Sequence, residues 1–115
     1  MPCLVENKAN VNVCQSEGFT PLHRAAYKGE ADVVNYLLDK NANIQAVTKA
    51  FKITPLHFAT FNGHFETVRM LLQECNYNHR VVNKKDSFGN TALHCAAVSG
   101  NSTLVNYLIQ KRDLL

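Results

Sequence analysis

The hydrophobic positions of this chain gather into clusters that return at regular intervals. Val33, Val34, Leu37 and Leu38 form one cluster, Val68, Met70, Leu71 and Leu72 a second, and Leu104, Val105, Leu108 and Ile109 a third. From Ala31 to about Asp39 the apolar side chains fall at i, i+1, i+4 and i+5, the stripe of an amphipathic helix. Upstream of each cluster lies a run with fixed punctuation: Gly18-Phe-Thr-Pro-Leu-His-Arg-Ala-Ala-Tyr-Lys-Gly29, then Lys52-Ile-Thr-Pro-Leu-His-Phe-Ala-Thr-Phe-Asn-Gly63, then Gly89-Asn-Thr-Ala-Leu-His-Cys-Ala-Ala-Val-Ser-Gly100. The threonines stand at 20, 54 and 91, so successive copies are offset by 34 and 37 residues.

One copy predicts its own structure. The Thr20 hydroxyl suits an N-cap, and Pro21 at the first helical position gives up an amide that has no partner there. A short helix therefore starts at Pro21 and stops near Gly29, a residue suited to a left-handed C-terminal position. Ala25 and Ala26 keep this helix thin enough for a neighbour to approach. The stripe from Ala31 to about Asp39 packs a second helix on the first, and the plan recurs from Thr54 and Thr91. A lone pair this small cannot bury its apolar face, so the units must stack side by side.

A Thr-Pro-Leu-His-x-Ala run in phase with a second helix, at a period near 33, resembles the ankyrin repeat family over nearly the whole chain. The resemblance implies an all-α fold, an α-solenoid of three helix-turn-helix repeats with hairpin loops plus a partial N-terminal repeat. The expected single domain divides into the end of a truncated repeat (1–14), repeat one (15–48), repeat two with a long loop (49–85) and repeat three (86–115). Leu4 to Asn12 matches the segment that closes the first full copy, Leu37 to Gln45, without the helices that precede it. The expectation is a monomeric piece of a longer array, or else a chain whose N-terminal end is covered by something other than a preceding repeat. Two departures stand out: Lys52 occupies a place where the family prefers glycine, after a loop with one extra residue, and the connection from Leu72 to Asp86 is longer by about four residues.

Composition narrows the function classes. No apolar run approaches the ~18 residues of a membrane span, and the net charge of +3 is spread along the chain. Cys3, Cys14, Cys75 and Cys95 form no C-x-x-C pair and read as reduced thiols, which places the chain inside a cell, in cytoplasm or nucleus. The glycines are all absorbed by the repeat, leaving none for a phosphate-cradling loop. His94 and Cys95 are adjacent, but neighbours on a helix point about 100° apart, which defeats a nucleophile and base pair; a repeat histidine beside a small buried thiol is the expected arrangement. His23, His57 and His94 recur at one repeat position, about 10 Å apart along a stack, too far to share a metal whose bonds to nitrogen are about 2.1 Å long. The resemblance implies that they tie helix starts to neighbouring loops. No catalytic, cofactor or metal site is expected, and the segment is not read as an enzyme. Asn101-Ser-Thr has the form of a glycosylation sequon but sits at a helix start without a secretory route. Asn12 resembles the asparagine that intracellular hydroxylases modify in ankyrin proteins.

What remains is a recognition surface. In the family the partner meets the hairpin tips and the exposed side of each first helix, a concave strip. Carried over by position, the strip comprises Ser16, Glu17, Phe19, Tyr27 and Lys28; then Ala50, Phe51, Ile53, Phe61 and Asn62; then Ser87, Phe88, Asn90, Val98 and Ser99. Tyr27, Phe61 and Val98 align at one helix position, and Phe19, Ile53 and Asn90 at one loop position. An aligned apolar stripe on a solvent-facing surface suggests a protein-binding scaffold or adaptor, with Tyr27, Phe61 and Phe19 as anchors and Lys28, Lys49, Lys52 and Glu17 as a charged rim. For Phe51 and Phe88, packing onto a neighbouring repeat is the competing role. The alternative function is nucleic-acid or anionic-membrane binding through Lys49, Lys52, Arg80, Lys84 and Lys85, with Tyr77 and His79 among them.

Overall fold

The computed structural model describes residues 18–112, the Arg112 side chain excepted. The expectations for residues 1–14, Asn12, Ser16 and Glu17 lie outside the described residues. Among those described there are helices and no strands: α1 (Pro21–Lys28), α2 (Ala31–Asp39), α3 (Pro55–Phe61), α4 (Phe65–Glu74), α5 (His79–Val82), α6 (Ala92–Ser99) and α7 (Ser102–Arg112).

The caps that the sequence announces set the starts of α1, α3 and α6. Thr20, Thr54 and Thr91 each accept from the amide of the histidine three residues on, while that histidine's ring accepts from the threonine amide. The loop is thereby fixed to the helix on both sides. α1 ends at Gly29, whose φ of 74° is left-handed. A side chain there would also collide, since a Cβ would lie 2.5 Å from Nδ1 of His64 in the next helix pair. Gly29 is thus required by backbone conformation and by close approach together.

The helices form two layers. α1, α3 and α6 make the inner layer, α1 against α3 and α3 against α6, and each rests on its own outer partner, α2, α4 and α7. α2 also packs on α4. Leu22, Val34, Leu37, Leu56, Val68, Leu71, Leu72, Leu104 and Leu108 fill the space between layers, with Ala25, Ala26, Ala59 and Ala96 at the close helix contacts. Thr60 takes the place of Ala26 in the second unit, fully buried, with its hydroxyl donating back to the Leu56 carbonyl. That local bond removes the cost of burying the hydroxyl.

The long connection after α4 is where the repeat register runs out, and it is not a bare loop. Asn76 and Tyr77 adopt left-handed φ of 54° and 55°, the Tyr77 amide returns to the Leu72 carbonyl at 2.8 Å, and α5 follows. Asn78 caps α5, and Val81 and Val82 are buried in the core. The inserted residues therefore anchor themselves, and Lys111 lies over the Tyr77 and Tyr107 rings at 5.0 and 5.4 Å.

Candidate protein-binding surface

A buried spine positions the inner helices. His23 Nδ1 accepts from the Thr20 amide at 3.1 Å, which leaves the proton on Nε2 to donate to the Ile53 carbonyl of the next unit at 2.9 Å. His57 repeats the arrangement, with the Thr54 amide at 3.1 Å and the Asn90 carbonyl at 2.8 Å. Burial holds both imidazoles below their ordinary 6.5, although the carbonyls they face pull the other way. A second tie lies at the opposite end of the inner helices. The Tyr27 carbonyl accepts from Asn62 Nδ2 at 3.0 Å and from His64 Nε2 at 2.9 Å. Asn62, expected among partner contacts, is thus engaged with the neighbouring unit.

With the inner helices locked in this way, their solvent side carries an exposed apolar side chain from each unit. Tyr27, Phe61 and Val98 are 54%, 53% and 74% exposed. All three border one groove of about 320 Å³, together with Ile53, His57, Phe58, Asp86, Asn90, His94 and Cys95. A second hollow of about 370 Å³ adjoins it, bounded by Phe19, His23, Arg24, Tyr27, Lys28 and Phe58. Phe58 stands between the two. Its ring stacks on Phe19 at 5.7 Å and meets Tyr27 edge-on at 5.6 Å. Phe19 is half-buried under this contact, so it walls the hollow more than it projects from it.

The hairpin tips are built in two ways. In the loop before α3, the Thr48 amide donates to the Ile53 carbonyl and the Thr48 hydroxyl accepts from the Ile53 amide, both at 3.0 Å. Phe51 and Lys52 then turn through left-handed φ of 70° and 53°. In the loop before α6, Asp86 accepts from the Phe88 and Asn90 amides, both at 2.9 Å, and Gly89 supplies the left-handed residue. Burial works to raise the Asp86 carboxyl, but these amides outweigh it and hold it below the usual range. The tips are joined: the Ser87 amide donates to the Phe51 carbonyl at 2.8 Å, and the Phe51 and Phe88 rings stack at 5.2 Å. Both rings pack across units and remain mostly exposed.

Sequence reasoning missed Arg24, Phe58 and Asp86. The first two, with Cys95, occupy the x of Thr-Pro-Leu-His-x-Ala. With Tyr27, Phe61 and Val98 three residues on, they form an i, i+3 stripe toward the grooves. Cys95 corrects the expectation of a buried thiol: it is half-buried and lines the groove. Burial pushes its pKa up to about 11, so the thiol stays protonated beside a His94 whose Nδ1 is taken by Thr91. The basic residues are only partly gathered. Arg80, Lys84 and Lys85 share a shallow cleft with Gln45 and Asn83, which Lys49 and Lys52 do not line. The described residues contain no cluster of metal-ligating side chains and no helix long and apolar enough to cross a membrane.

Helix pairs stacked in two layers, each mated to the next by a repeated histidine bond, define a solenoid repeat domain. The family model described as Ankyrin repeats (3 copies) matches residues 1–48 and 43–114, and the chain belongs to that family. It is 46% identical over 102 residues to the Ankyrin repeat and SAM domain-containing protein 1A of Homo sapiens, covering 89% of this chain and 9% of that protein. Protein fem-1 homolog A-like of Mus musculus is 32% identical over 111 residues, covering 96% of this chain and 16% of its own. Transient receptor potential cation channel subfamily A member 1 of Homo sapiens is 40% identical over 99 residues, covering 86% and 9%. The chain thus spans less than a fifth of each of these relatives.

Proposed function

We propose that this segment is a non-catalytic recognition domain that binds another protein through its concave face and hairpin tips. One observation carries the reading: Tyr27, Phe61 and Val98, one from each unit, stand exposed around a single groove whose walls are mostly apolar. Aromatic side chains give large contact area at low entropy cost and dominate interface energetics. The polar groups beneath them are committed to the stack, since both ring nitrogens of His23 and His57 are bonded to backbone. The three units act as one domain in a reducing compartment inside a cell, where Cys75 and Cys95 stay thiols.

The test is affinity capture with the 115-residue chain as bait, beside a Tyr27→Ala/Phe61→Ala variant that melts at the same temperature. A partner retained only by the unaltered bait supports the reading; one retained equally by both contradicts it. A second reading, contact with nucleic acid or an anionic membrane, is favoured by the cleft of Arg80, Lys84 and Lys85. Salt separates the two, because phosphate-driven affinity falls by orders of magnitude between low and moderate salt, whereas contact centred on aromatic side chains falls far less.

A further inference from the structure

The concave face is not uniform, and its asymmetry bears on the chemistry of what it binds. The hollow between α1 and α3 carries Arg24 and Lys28 on its rim and, among the described residues, no carboxylate. Both cations are exposed, and neither forms an ion pair among the described residues. The groove between α3 and α6 has Phe61 and Val98 on its walls and, among the described residues, one carboxylate in its lining, Asp86. A ligand lying across both sites meets positive charge at the first unit, apolar surface in the middle and negative charge at the third.

Resting on the proposed protein-binding role, we propose that the occupant is an extended peptide segment. It carries a large apolar side chain for the groove between α3 and α6, and a carboxylate for Arg24 and Lys28. Neighbouring inner helices lie about 10 Å apart, and an extended chain advances about 3.3 Å per residue. The acidic residue therefore sits about three positions from the apolar anchor. Phe58 and Tyr27 form the ridge between the hollows, and the intervening residues cross it. The reverse placement is disfavoured, because an acidic residue in the second groove faces Asp86, and like charges brought together cost affinity.

The probe is a phage-displayed library of random linear twelve-residue peptides, panned on the whole chain; the most enriched sequence is then synthesised and its affinity measured by fluorescence anisotropy. The expected sequences pair a Leu, Ile, Met or aromatic residue with Asp or Glu two to four positions away. Arg24→Glu/Lys28→Glu should weaken the acidic peptide about fivefold to tenfold and tighten a version with Lys in place of its acid. Phe61→Ala should weaken both versions. Should the double variant melt early, Lys28→Glu alone and the salt dependence of binding to the unaltered protein give the same discrimination. Enriched peptides with no acidic preference, indifferent to the charge reversal but sensitive to Phe61→Ala, overturn the inference and leave the binding face standing. No enrichment, or binding that survives Phe61→Ala, overturns the binding face itself.

Discussion

On α3, His57 and Phe61 lie one turn apart and are treated in opposite ways. His57 is buried, its two nitrogens bonded to Thr54 and to the next unit, and its counterpart His23 in α1 does the same. Phe61 is half exposed, and its counterparts are a tyrosine and a valine. Mating one unit to the next demands the same bond at each junction, so residues facing the neighbour repeat in kind. On the proposed reading, the solvent-facing residues answer to a partner, so Tyr27, Phe61 and Val98 share only their apolar character. On that reading the first set builds the stack and the second gives it a use.

Substitutions on the two sides should therefore part company. The largest effect belongs to the core, where Leu56→Ala should lower unfolding free energy by about 3 kcal/mol in a urea titration, because a fully buried side chain leaves a cavity. His57→Ala should cost about 2 kcal/mol, since the Asn90 carbonyl and the Thr54 amide both lose their partner. Phe61→Ala should shift unfolding by less than about 0.5 kcal/mol, as exposed positions do, yet weaken partner binding by about 2 kcal/mol. Lys52→Gly should raise stability by about 1 kcal/mol, because its φ of 53° burdens a side chain bearing a Cβ and suits glycine.

The smallest of these effects is a dependence on pH. Burial holds His23 and His57 below 6.5 in the folded chain, so the unfolded chain binds more protons as the solution is acidified. Their contribution is complete above pH 6.5 and is lost progressively below it. The melting temperature should be lower at about pH 5 than at about pH 7.5, and the difference should shrink in a variant lacking both histidines. Asp86, held below its usual 3.8 by two amides, moves stability only in still stronger acid.

The repeated side was legible in the sequence because it is repeated. Thr20, Thr54 and Thr91 announce helix starts by local hydrogen bonding, and three copies of one run fix the register of the stack. The resemblance that named the histidine ties drew on the same residues. The concave side was legible only in part. The alignment picked out Tyr27, Phe61 and Val98, but Arg24 and Phe58 follow a histidine at a position that varies between copies, and repetition says nothing about them. Asp86 was hidden because its part in the groove depends on where the tip before α6 folds relative to α3. α5 escaped notice because four residues carry too little periodicity to predict a helix, and burying Val81 and Val82 decides it. Cys95 was read as buried from its size, whereas the open side of α6 leaves it on the groove wall.

On the proposed reading, stability and recognition reside on opposite sides of the same short helices. Its most direct test is the dissociation constant of a groove-binding peptide for the Phe61→Ala protein, read alongside that protein's melting curve. A dissociation constant raised about thirtyfold at an unchanged melting temperature is the result expected. A lowered melting temperature with peptide affinity intact would contradict the account, for Phe61 would then be holding the stack together and the groove would have another purpose or none.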